Sequence, residues 1–373
     1  MPFSPRPGPR NLIDDVPGLA VGQAEDGALR TGVTVLLPAA PCPAGADVRG
    51  GGPGVREVHA LDAENLVGAA HAVTLSGGSA LGLGGGDAVA AALSAMGRGL
   101  EMGPDHPAVP IVPGAILYDL GPHSAAAYAK DGPPHPALAR AALEAALAVE
   151  ARGPGAGGFA LGSHGAGCGA KAGAVKGGIG SASLEIAPGL FVGAIVAANP
   201  VGSVRMSPDG PFWAWPWEIG GEFGGLRPGP DWAGDPAPLP ADMKLRFDAA
   251  TLFEDAAAPE GPGVGPGVGG NTAIGAVAVN ADLTAAECKR VAMMAQDGLA
   301  RAIRPAHTPF DGDTIFALAP GEGAHRVSIG EGRIRAARLA AIGSAAADCV
   351  ARAVARGVWE AESAPGEPPA MRV

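Results

Sequence analysis

The chain has 373 residues, which allows one large domain or two modest ones with ample room for a buried core. Its formal charge is −11, from 37 acidic and 26 basic residues, so it lacks the basic stripe that a phosphate backbone requires. Glycine (61 residues) and proline (37) are abundant and aromatic residues make up only 4%, which suits closely packed backbones and many tight turns. We therefore expect no nucleic acid partner, and the same charge disfavours an anionic membrane.

The N-terminal segment and the cysteines indicate a cytoplasmic location. The segment MPFSPRPGPRNLIDDVPG carries charges and prolines where a secretory signal needs an apolar stretch. No apolar run approaches the ~18–20 residues of a membrane span. The cysteines have neither a C-x-x-C pair nor metal-ligand spacing, so we expect free thiols in a reducing compartment. They are Cys42, Cys168, Cys288 and Cys349.

Apolar runs alternate with glycine-rich breaks in the first part of the chain, which is typical of a mixed α/β sandwich. The last strand of this part ends at Asn199, because the proline that follows forbids its continuation. The predicted elements are strands at Thr34–Leu37, His71–Leu75 and Phe191–Ala198, a small-residue helix within 76–96 and an alanine-rich helix at Ala137–Ala151.

The section from Gly202 to about Pro240 is rich in turns and is predicted to leave the sandwich. It holds four of the five tryptophans, and its acidic stretch 211–232 includes all four. Their rings could line a substrate groove or anchor a long loop, and the sequence leaves both possibilities open. These residues are Trp213, Trp215, Trp217 and Trp232.

An abrupt change of composition follows at Thr272. Residues 254–270 are charged and then almost wholly Gly, Pro and Val, as in a flexible linker. The next residues, TAIGAVAVNA, predict a buried strand, because small and β-branched side chains alternate without a polar one before Asn280. A loop that ends at a threonine heading a buried strand is the arrangement that an autocleaved N-terminal nucleophile needs.

The remainder of the chain predicts a helix, a strand and a second helix. Thr284 and Glu287 form a capping box, and apolar residues at helical spacing follow until Pro305 forces the helix to end by Arg304. The last two elements are a turn and strand within 310–320 and a C-terminal helix at Arg333–Arg356.

Thr272 could act as a nucleophile without a histidine. A hydroxyl needs a base to take its proton, and the α-amine of a terminal threonine, with a pKa of ~7.7–8.0, lies within reach of its own hydroxyl. The chain has no G-x-S-x-G motif, and its eight histidines form no recognisable triad. Spacing alone, however, does not distinguish Thr272 from an ordinary strand residue.

Eight segments of the chain together carry a resemblance that is far more specific than any single motif. The segments are NLIDDVPGLAVGQA (11–24), TGVTVLL (31–37), ADVRGGGPGVRE (46–57), HAVTLSGGSALGL (71–83), GAGCGAKAGAVKGGIGSAS (165–183), AANPVGSV (197–204), GGNTAIGAVAVN (269–280) and LARAIRPAHTPFDGDTIFAL (299–318). They extend over nearly the whole chain in the order found in a family of self-processing hydrolases, and the chain therefore resembles that family: the L-aminopeptidase/D-esterases, β-peptidyl aminopeptidases and 6-aminohexanoate (nylon) oligomer hydrolases.

This resemblance implies autocleavage between Asn271 and Thr272 within one hydrolase domain spanning 1–373. The products would be an α-chain (1–271) and a β-chain (272–373) that stay associated, with Thr272 as the nucleophile in both self-cleavage and substrate hydrolysis. Asp311 and Asp313 match an acidic pair that orients the nucleophile and its amine. Thr with Asp-Gly-Asp resembles the nylon-oligomer branch, since β-aminopeptidases have Ser with Ser-x-Glu. Without the resemblance, Asp-Gly-Asp would be an ordinary turn.

The resemblance also implies roles for three further residues. Asn199 matches an asparagine whose side-chain amide helps to form the oxyanion hole, although Asn-Pro is also a common turn. Tyr118 matches a tyrosine at the catalytic cleft and would otherwise be read as a residue at the edge of the core. A lysine near the nucleophile could match Lys171 or Lys176, since both lie in the same segment, and we select Lys176.

The implied fold is a four-layer α/β/β/α sandwich, assembled as tetramers of αβ units and needing no metal or organic cofactor. The expected reaction is attack by the Thr272 hydroxyl on a small peptide, amide, ester or ω-amino-acid oligomer, followed by hydrolysis of the acyl-enzyme. Two alternatives stay open. One is an acyltransferase that resembles the ornithine acetyltransferases, whose characteristic motifs are absent, and the other is an uncleaved, inactive binding protein.

Overall fold

The computed structural model describes residues 3–153, 156–232, 234, 239–240, 242–245, 270–321 and 323–372. The strands are β1 (Leu19–Asp26), β2 (Thr31–Pro38), β3 (Cys42–Val48), β4 (Val55–Arg56), β5 (Ala69–Ala70), β6 (Val73–Ser76), β7 (Gly114–Ile116), β8 (Lys171–Ala172), β9 (Val175–Lys176), β10 (Gly178–Ala187), β11 (Leu190–Asn199), β12 (Thr272–Val279) and β13 (Thr314–Leu318). The helices are α1 (Gly84–Ala95), α2 (Pro122–Asp131), α3 (His135–Ala151), α4 (Ala285–Ala302) and α5 (Gly332–Trp359).

Two mixed sheets form the centre of the molecule. The first has the strand order β1-β2-β6-β7-β4 and the second has the order β10-β11-β12-β13-β3-β5, while β8 and β9 form a separate hairpin. One hydrophobic core fills the space between the sheets, a second lies between the six-stranded sheet and helices α4 and α5, and a third lies between the other sheet and helices α1 and α3. Three cores separate four layers, so the predicted α/β/β/α sandwich is confirmed.

Strand β12 shows why its sequence lacks polar residues. Ile274, Ala276 and Ala278 enter the core between the sheets, whereas Ala273 and Val277 enter the core beneath the helices. A strand covered on both faces needs apolar side chains at every position. The heading threonine is therefore the exception to this rule, and it is itself buried.

The predicted elements of the first part are confirmed, with two shifts: the strand predicted at His71–Leu75 is observed at Val73–Ser76, and the small-residue helix begins late. Residues 76–96 begin as a tight turn and a short 3-10 helix at Ser79–Leu83, and only then become α1. Gly78 and Ser79 adopt positive φ values of 82° and 54°, a left-handed conformation that an α-helix cannot include. The helix therefore starts later than its composition suggests.

The predicted elements after Thr272 are also confirmed. The Thr284 hydroxyl accepts a bond from the Glu287 N–H at 3.3 Å, and the Glu287 carboxylate accepts one from the Thr284 N–H at 2.8 Å. This capping box opens α4, which ends at Ala302, before the proline that limits it. Helix α5 contains the predicted C-terminal helix and extends it at its C-terminal end.

The described part of the turn-rich section is held down by its aromatic rings. Arg304 lies over the Trp213 ring and Arg301 over the Trp217 ring, each 5.1 Å from the ring centre. Both arginines belong to the end of α4 or to the residues just after it, so these rings anchor the loop to the sandwich. The glycine- and proline-rich linker predicted over 254–270 lies, except for Gly270, outside the described residues. Among the helices described, none is both long and apolar enough to cross a membrane.

A glycine is sterically required where α5 crosses β10. A Cβ atom on Gly180 would lie 1.9 Å from the Ala353 carbonyl oxygen and 2.3 Å from the Gly357 nitrogen. Backbone atoms cannot move aside as a flexible side chain can, so helix and sheet approach this closely only without a side chain at position 180.

We expect Gly180→Ala to lower the free energy of unfolding by at least about 1–3 kcal/mol, the usual cost of overpacking. The measurement is the midpoint of urea unfolding at unchanged slope. Gly27→Ala is the matched control, since a Cβ there meets nothing within 4 Å. Equal midpoints for the two variants would contradict this account of the helix–sheet contact.

Candidate active site

The predicted site residues meet where three neighbouring strands of the six-stranded sheet begin or end. Antiparallel pairing sets Asn199, the last residue of β11, opposite Thr272, the first residue of β12. Asn271 forms a parallel bridge with Asp311, just before β13. Asn199, Thr272, Asp311 and Asp313 are each at most 2% exposed. The sheet thus brings together residues that are far apart in the chain.

The Thr272 hydroxyl lies against the carbonyl of the preceding residue. Its Oγ1 donates a hydrogen bond to the Asn271 carbonyl oxygen in the continuous chain. The backbone N–H of Gly312, between the two aspartates, donates to the same oxygen at 3.1 Å. The Asn271–Thr272 peptide therefore has a hydroxyl beside its carbonyl and a fixed donor on its oxygen.

Asp311 is held by its own loop and by the chain after β11. Its carboxylate accepts hydrogen bonds from the Val201 N–H at 3.0 Å, from the Thr308 N–H at 3.2 Å and from the Thr308 hydroxyl. Burial raises the pKa of Asp311, and the neighbouring Asp313 charge raises it further, whereas the bonds from Thr308 and Val201 and the Lys244 charge act in the opposite direction. A buried carboxylate with this many donors is fixed in position.

Asp313 connects strand β12 to a histidine. One carboxylate oxygen accepts a bond from the Ala273 N–H at 2.8 Å, directly after the candidate nucleophile. The other accepts bonds from the His307 N–H at 3.1 Å and lies 2.7 Å from His307 Nδ1. The acidic pair thus contacts the backbone on both sides of the Asn271–Thr272 junction: Asp311 through its bridge to Asn271, and Asp313 through Ala273.

The side chain of Asn199 is bonded at every polar atom. Its Nδ2 donates to the Tyr118 carbonyl oxygen at 3.1 Å and to the Gly270 carbonyl oxygen at 3.4 Å. Its Oδ1 accepts from the Lys171 N–H at 2.9 Å and from Lys244 Nζ at 2.8 Å. The amide group therefore faces the chain segment that precedes the nucleophile.

The other two predicted site residues are Lys176 and Tyr118. The Lys176 ammonium is fully buried and bonds to the carbonyls of Cys168 and Ala170 and to the carboxylate of Glu367 at 3.1 Å, so it ties the β8–β9 hairpin to the C-terminal segment. The ammonium that contacts Asn199 is that of Lys244. Tyr118 contributes its main-chain carbonyl to the site, while the residue is 41% exposed.

Four residues that contact the predicted site residues were not predicted from the sequence. Thr308 could have been found, because Thr followed three residues later by a carboxylate is a recognised local bonding pattern. No local sequence pattern indicates Lys244 or His307, since each contacts its partner only in the folded structure. Gly312 contributes its main-chain N–H, which any residue type could supply. These residues are Lys244, His307, Thr308 and Gly312.

No group of three or more His, Cys, Asp or Glu side chains within the described ranges could hold a metal ion. The arrangement offers a hydroxyl and a main-chain N–H on one peptide carbonyl oxygen, with two buried carboxylates and a side-chain amide at the same strand ends. These groups suit nucleophilic attack on a carbonyl with stabilisation of the resulting oxyanion.

Known proteins are similar to this chain in sequence and in fold. The model for peptidase family S58 matches residues 11–370. An uncharacterized aminopeptidase of Mycobacterium bovis is 38% identical over 373 residues, covering 96% of each chain. A 6-aminohexanoate-oligomer endohydrolase of a Kocuria strain is 29% identical over 315 residues, covering 84% of this chain and 76% of that one.

Solved structures agree on the architecture. A β-aminopeptidase of a Burkholderia species has a TM-score of 0.64 at 21% identity, covering 99% of this chain and 93% of the other. The L-aminopeptidase D-Ala-esterase/amidase of Ochrobactrum anthropi, described as a variant of the Ntn hydrolase fold, has a TM-score of 0.63 at 22% identity, covering 99% and 91%. With the family match over nearly its whole length, the chain belongs to peptidase family S58 and is a hydrolase of amide bonds.

Proposed function

We propose that the chain cleaves its own Asn271–Thr272 bond and then uses the freed Thr272 to hydrolyse small amides. The observation that carries this proposal is the Thr272 hydroxyl on the Asn271 carbonyl oxygen, with the Gly312 N–H on the same atom. An ordinary buried threonine would satisfy its hydroxyl equally well, but it would not need a second donor on the carbonyl before it.

The first step is a shift of the acyl group from nitrogen to oxygen. Thr272 Oγ1 attacks the Asn271 carbonyl carbon, the Gly312 N–H stabilises the negative charge on the carbonyl oxygen, and the C–N bond breaks as the hydroxyl proton passes to the leaving nitrogen. Water then hydrolyses the ester, leaving a carboxylate on Asn271 and a free amine and hydroxyl on Thr272. The α-chain (1–271) and β-chain (272–373) stay together, since β12 remains paired with β11.

Substrate hydrolysis repeats the chemistry with the new amine as base. The Thr272 amine takes the hydroxyl proton, the oxygen attacks the substrate carbonyl, and the resulting ester is hydrolysed by water. Asn199 Nδ2, which donates to the Gly270 carbonyl in the continuous chain, is free to donate to the substrate once the segment ending at Asn271 moves away. The uncut chain thus occupies its own acyl site.

The substrate class is a small peptide, amino-acid amide, ester or ω-amino-acid oligomer. Support comes from the relatives, which bear aminopeptidase and 6-aminohexanoate-oligomer endohydrolase names. We also propose a cytoplasmic tetramer of αβ units that needs no cofactor; the four cysteines are free and buried, which fits a reducing compartment. A panel of α-L, α-D and β-amino-acid p-nitroanilides and a 6-aminohexanoate oligomer would identify the preferred class.

Self-processing predicts two fragments on a denaturing gel, residues 1–271 and residues 272–373, the smaller beginning Thr-Ala-Ile-Gly. The measurement is denaturing mass spectrometry of purified protein. A single intact chain with full amidase activity would rule out the mechanism, and an intact inactive chain would favour a binding protein.

Thr272→Ala should give one uncut, inactive chain, because the same hydroxyl performs both reactions. Thr272→Ser should still cut and keep part of the activity, since hydroxyl and amine are both present. Ser344→Ala, which removes an exposed hydroxyl from α5, serves as the control. Self-cleavage by the alanine variant would place the nucleophile elsewhere.

Asp313→Asn should lower turnover by roughly 10²-fold, the usual scale for lost acid–base support. The pH profile is the sharper readout. Activity should rise as the Thr272 amine loses its proton, and a nearby carboxylate raises the pKa of that amine by favouring its charged form. Removing the carboxylate charge should therefore move the rising limb to lower pH.

The control for this experiment is Asp131→Asn, whose side chain is 67% exposed and pairs with Lys130 on α2. It should leave both rate and limb unchanged. A limb that stays in place in Asp313→Asn while the rate falls would mean that the carboxylate does not act on the amine.

A further inference from the structure

Lys244 reaches the candidate oxyanion donor from outside any sequence motif. Its Nζ donates to the main-chain carbonyl oxygen of Asn199 and to the side-chain Oδ1 of the same residue, both at 2.8 Å. The backbone N–H of Lys171 donates to that Oδ1 as well, at 2.9 Å. Two donors therefore occupy the two lone pairs of one amide oxygen.

These donors determine which way the Asn199 amide faces. With Oδ1 bonded to Lys244 and Lys171, the NH₂ group must point to the opposite side, where it donates to the carbonyls of Tyr118 and Gly270. A flipped amide would set its N–H groups against an ammonium and a backbone N–H, leaving four donors without an acceptor. Burial makes such a mismatch costly, because water cannot replace the lost partners.

Lys244 is itself held in place by the residues around it. Its N–H donates to the Val201 carbonyl oxygen at 3.0 Å, and the Val201 N–H bonds to Asp311. Met243 and Leu245, on either side, are buried in a small apolar cluster with Val201. The Asp242 carboxylate pairs with Arg205 at 3.2 Å. The lysine therefore belongs to a docked segment next to the acidic pair.

Lys244 can orient the Asn199 amide in either protonation state. Burial lowers the pKa of Lys244 well below its usual range, and the charges of Lys171 and Lys176 lower it further, whereas the Asp311 charge favours the ammonium. Each contact with Asn199 needs only one N–H, which the neutral amine and the ammonium both supply. In the ammonium form the hydrogen bond is stronger and also polarises the Asn199 amide, so that its N–H groups become better donors to a developing negative charge.

We propose that Lys244 is a positioning residue that orients and polarises the Asn199 amide for stabilisation of the oxyanion. This inference rests on the proposed function, because it assigns a role within the Thr272 reaction. Lys244 need not touch the substrate, and it would affect turnover more than substrate binding.

The test compares Lys244→Met, Lys244→Arg and Asn199→Ala in the full chain on the best p-nitroanilide of the panel, with kcat normalised to the amount of free Thr272 N-terminus. Lys244→Met should lower kcat about 10- to 100-fold, somewhat less than loss of an oxyanion donor itself, and change KM by less than about threefold. Lys244→Arg keeps the charge and the donors and should recover most of the loss. Lys130→Met, with an 81% exposed side chain, is the matched control.

The decisive readout is the double variant. If Lys244 acts through Asn199, Lys244→Met should lower kcat by less than about threefold in the Asn199→Ala background, because the group that it orients is already gone. If the two single-variant losses of kcat instead multiply in the double variant, Lys244 acts independently of Asn199 and the proposal is wrong. A wild-type kcat in Lys244→Met would also overturn the proposal.

Failure of the proposed function gives a different result. If Thr272→Ala stays active, the proposed Thr272 mechanism is wrong. If Thr272→Ala is inactive but Lys244→Met has normal kcat, the mechanism stands and only the proposed role of Lys244 is wrong. If Lys244→Met does not fold, judged by its melting temperature, Lys244→Gln keeps a neutral donor and replaces it. Its kcat should still fall, and an unchanged value would contradict the proposal.

Discussion

The antiparallel pairing of β11 with β12 is the constraint on which the site depends. It sets Asn199 opposite Thr272, and the parallel pairing of β12 with β13 brings the acidic pair to the same end of the sheet. Because side chains alternate between the faces of a strand, a slip of one residue would turn these groups to the wrong side. Both faces of β12 are apolar, but their side chains differ in size: Val277 and Val279 enter the core beneath the helices, whereas Ala276 and Ala278 enter the core between the sheets. A slip would overpack one core and leave gaps in the other, and this cost holds the register.

Burial explains why so many donors surround so few functional groups. Charged and amide groups removed from water must be hydrogen-bonded, and Asp311, Asp313 and Asn199 each receive or make several bonds within the protein. The same bonds fix the geometry that attack on a carbonyl demands. Stability and chemical preorganisation therefore draw on one set of contacts, and the positions of His307, Thr308 and Lys244 follow from it.

The segment that includes Lys244 links residues on the two sides of the proposed cleavage point. It docks on Val201, whose N–H bonds to Asp311, so a residue before the proposed cleavage point supports one after it. Together with the β11–β12 pairing, such contacts would hold both parts together without the covalent link.

Local signals in the sequence determined the strands, the capping box of α4, the end of β11 at Asn199 and the change of composition at Thr272. The resemblance to a known family added the positions of the acidic pair and the asparagine. Which lysine contacts Asn199 was decided only by the tertiary structure: Lys176 binds Glu367, and Lys244 binds Asn199, 45 residues away in the chain. A lysine side chain is long and flexible, so its neighbours in sequence do not restrict which oxygen it reaches, whereas helix caps and strand ends depend on residues only a few positions apart.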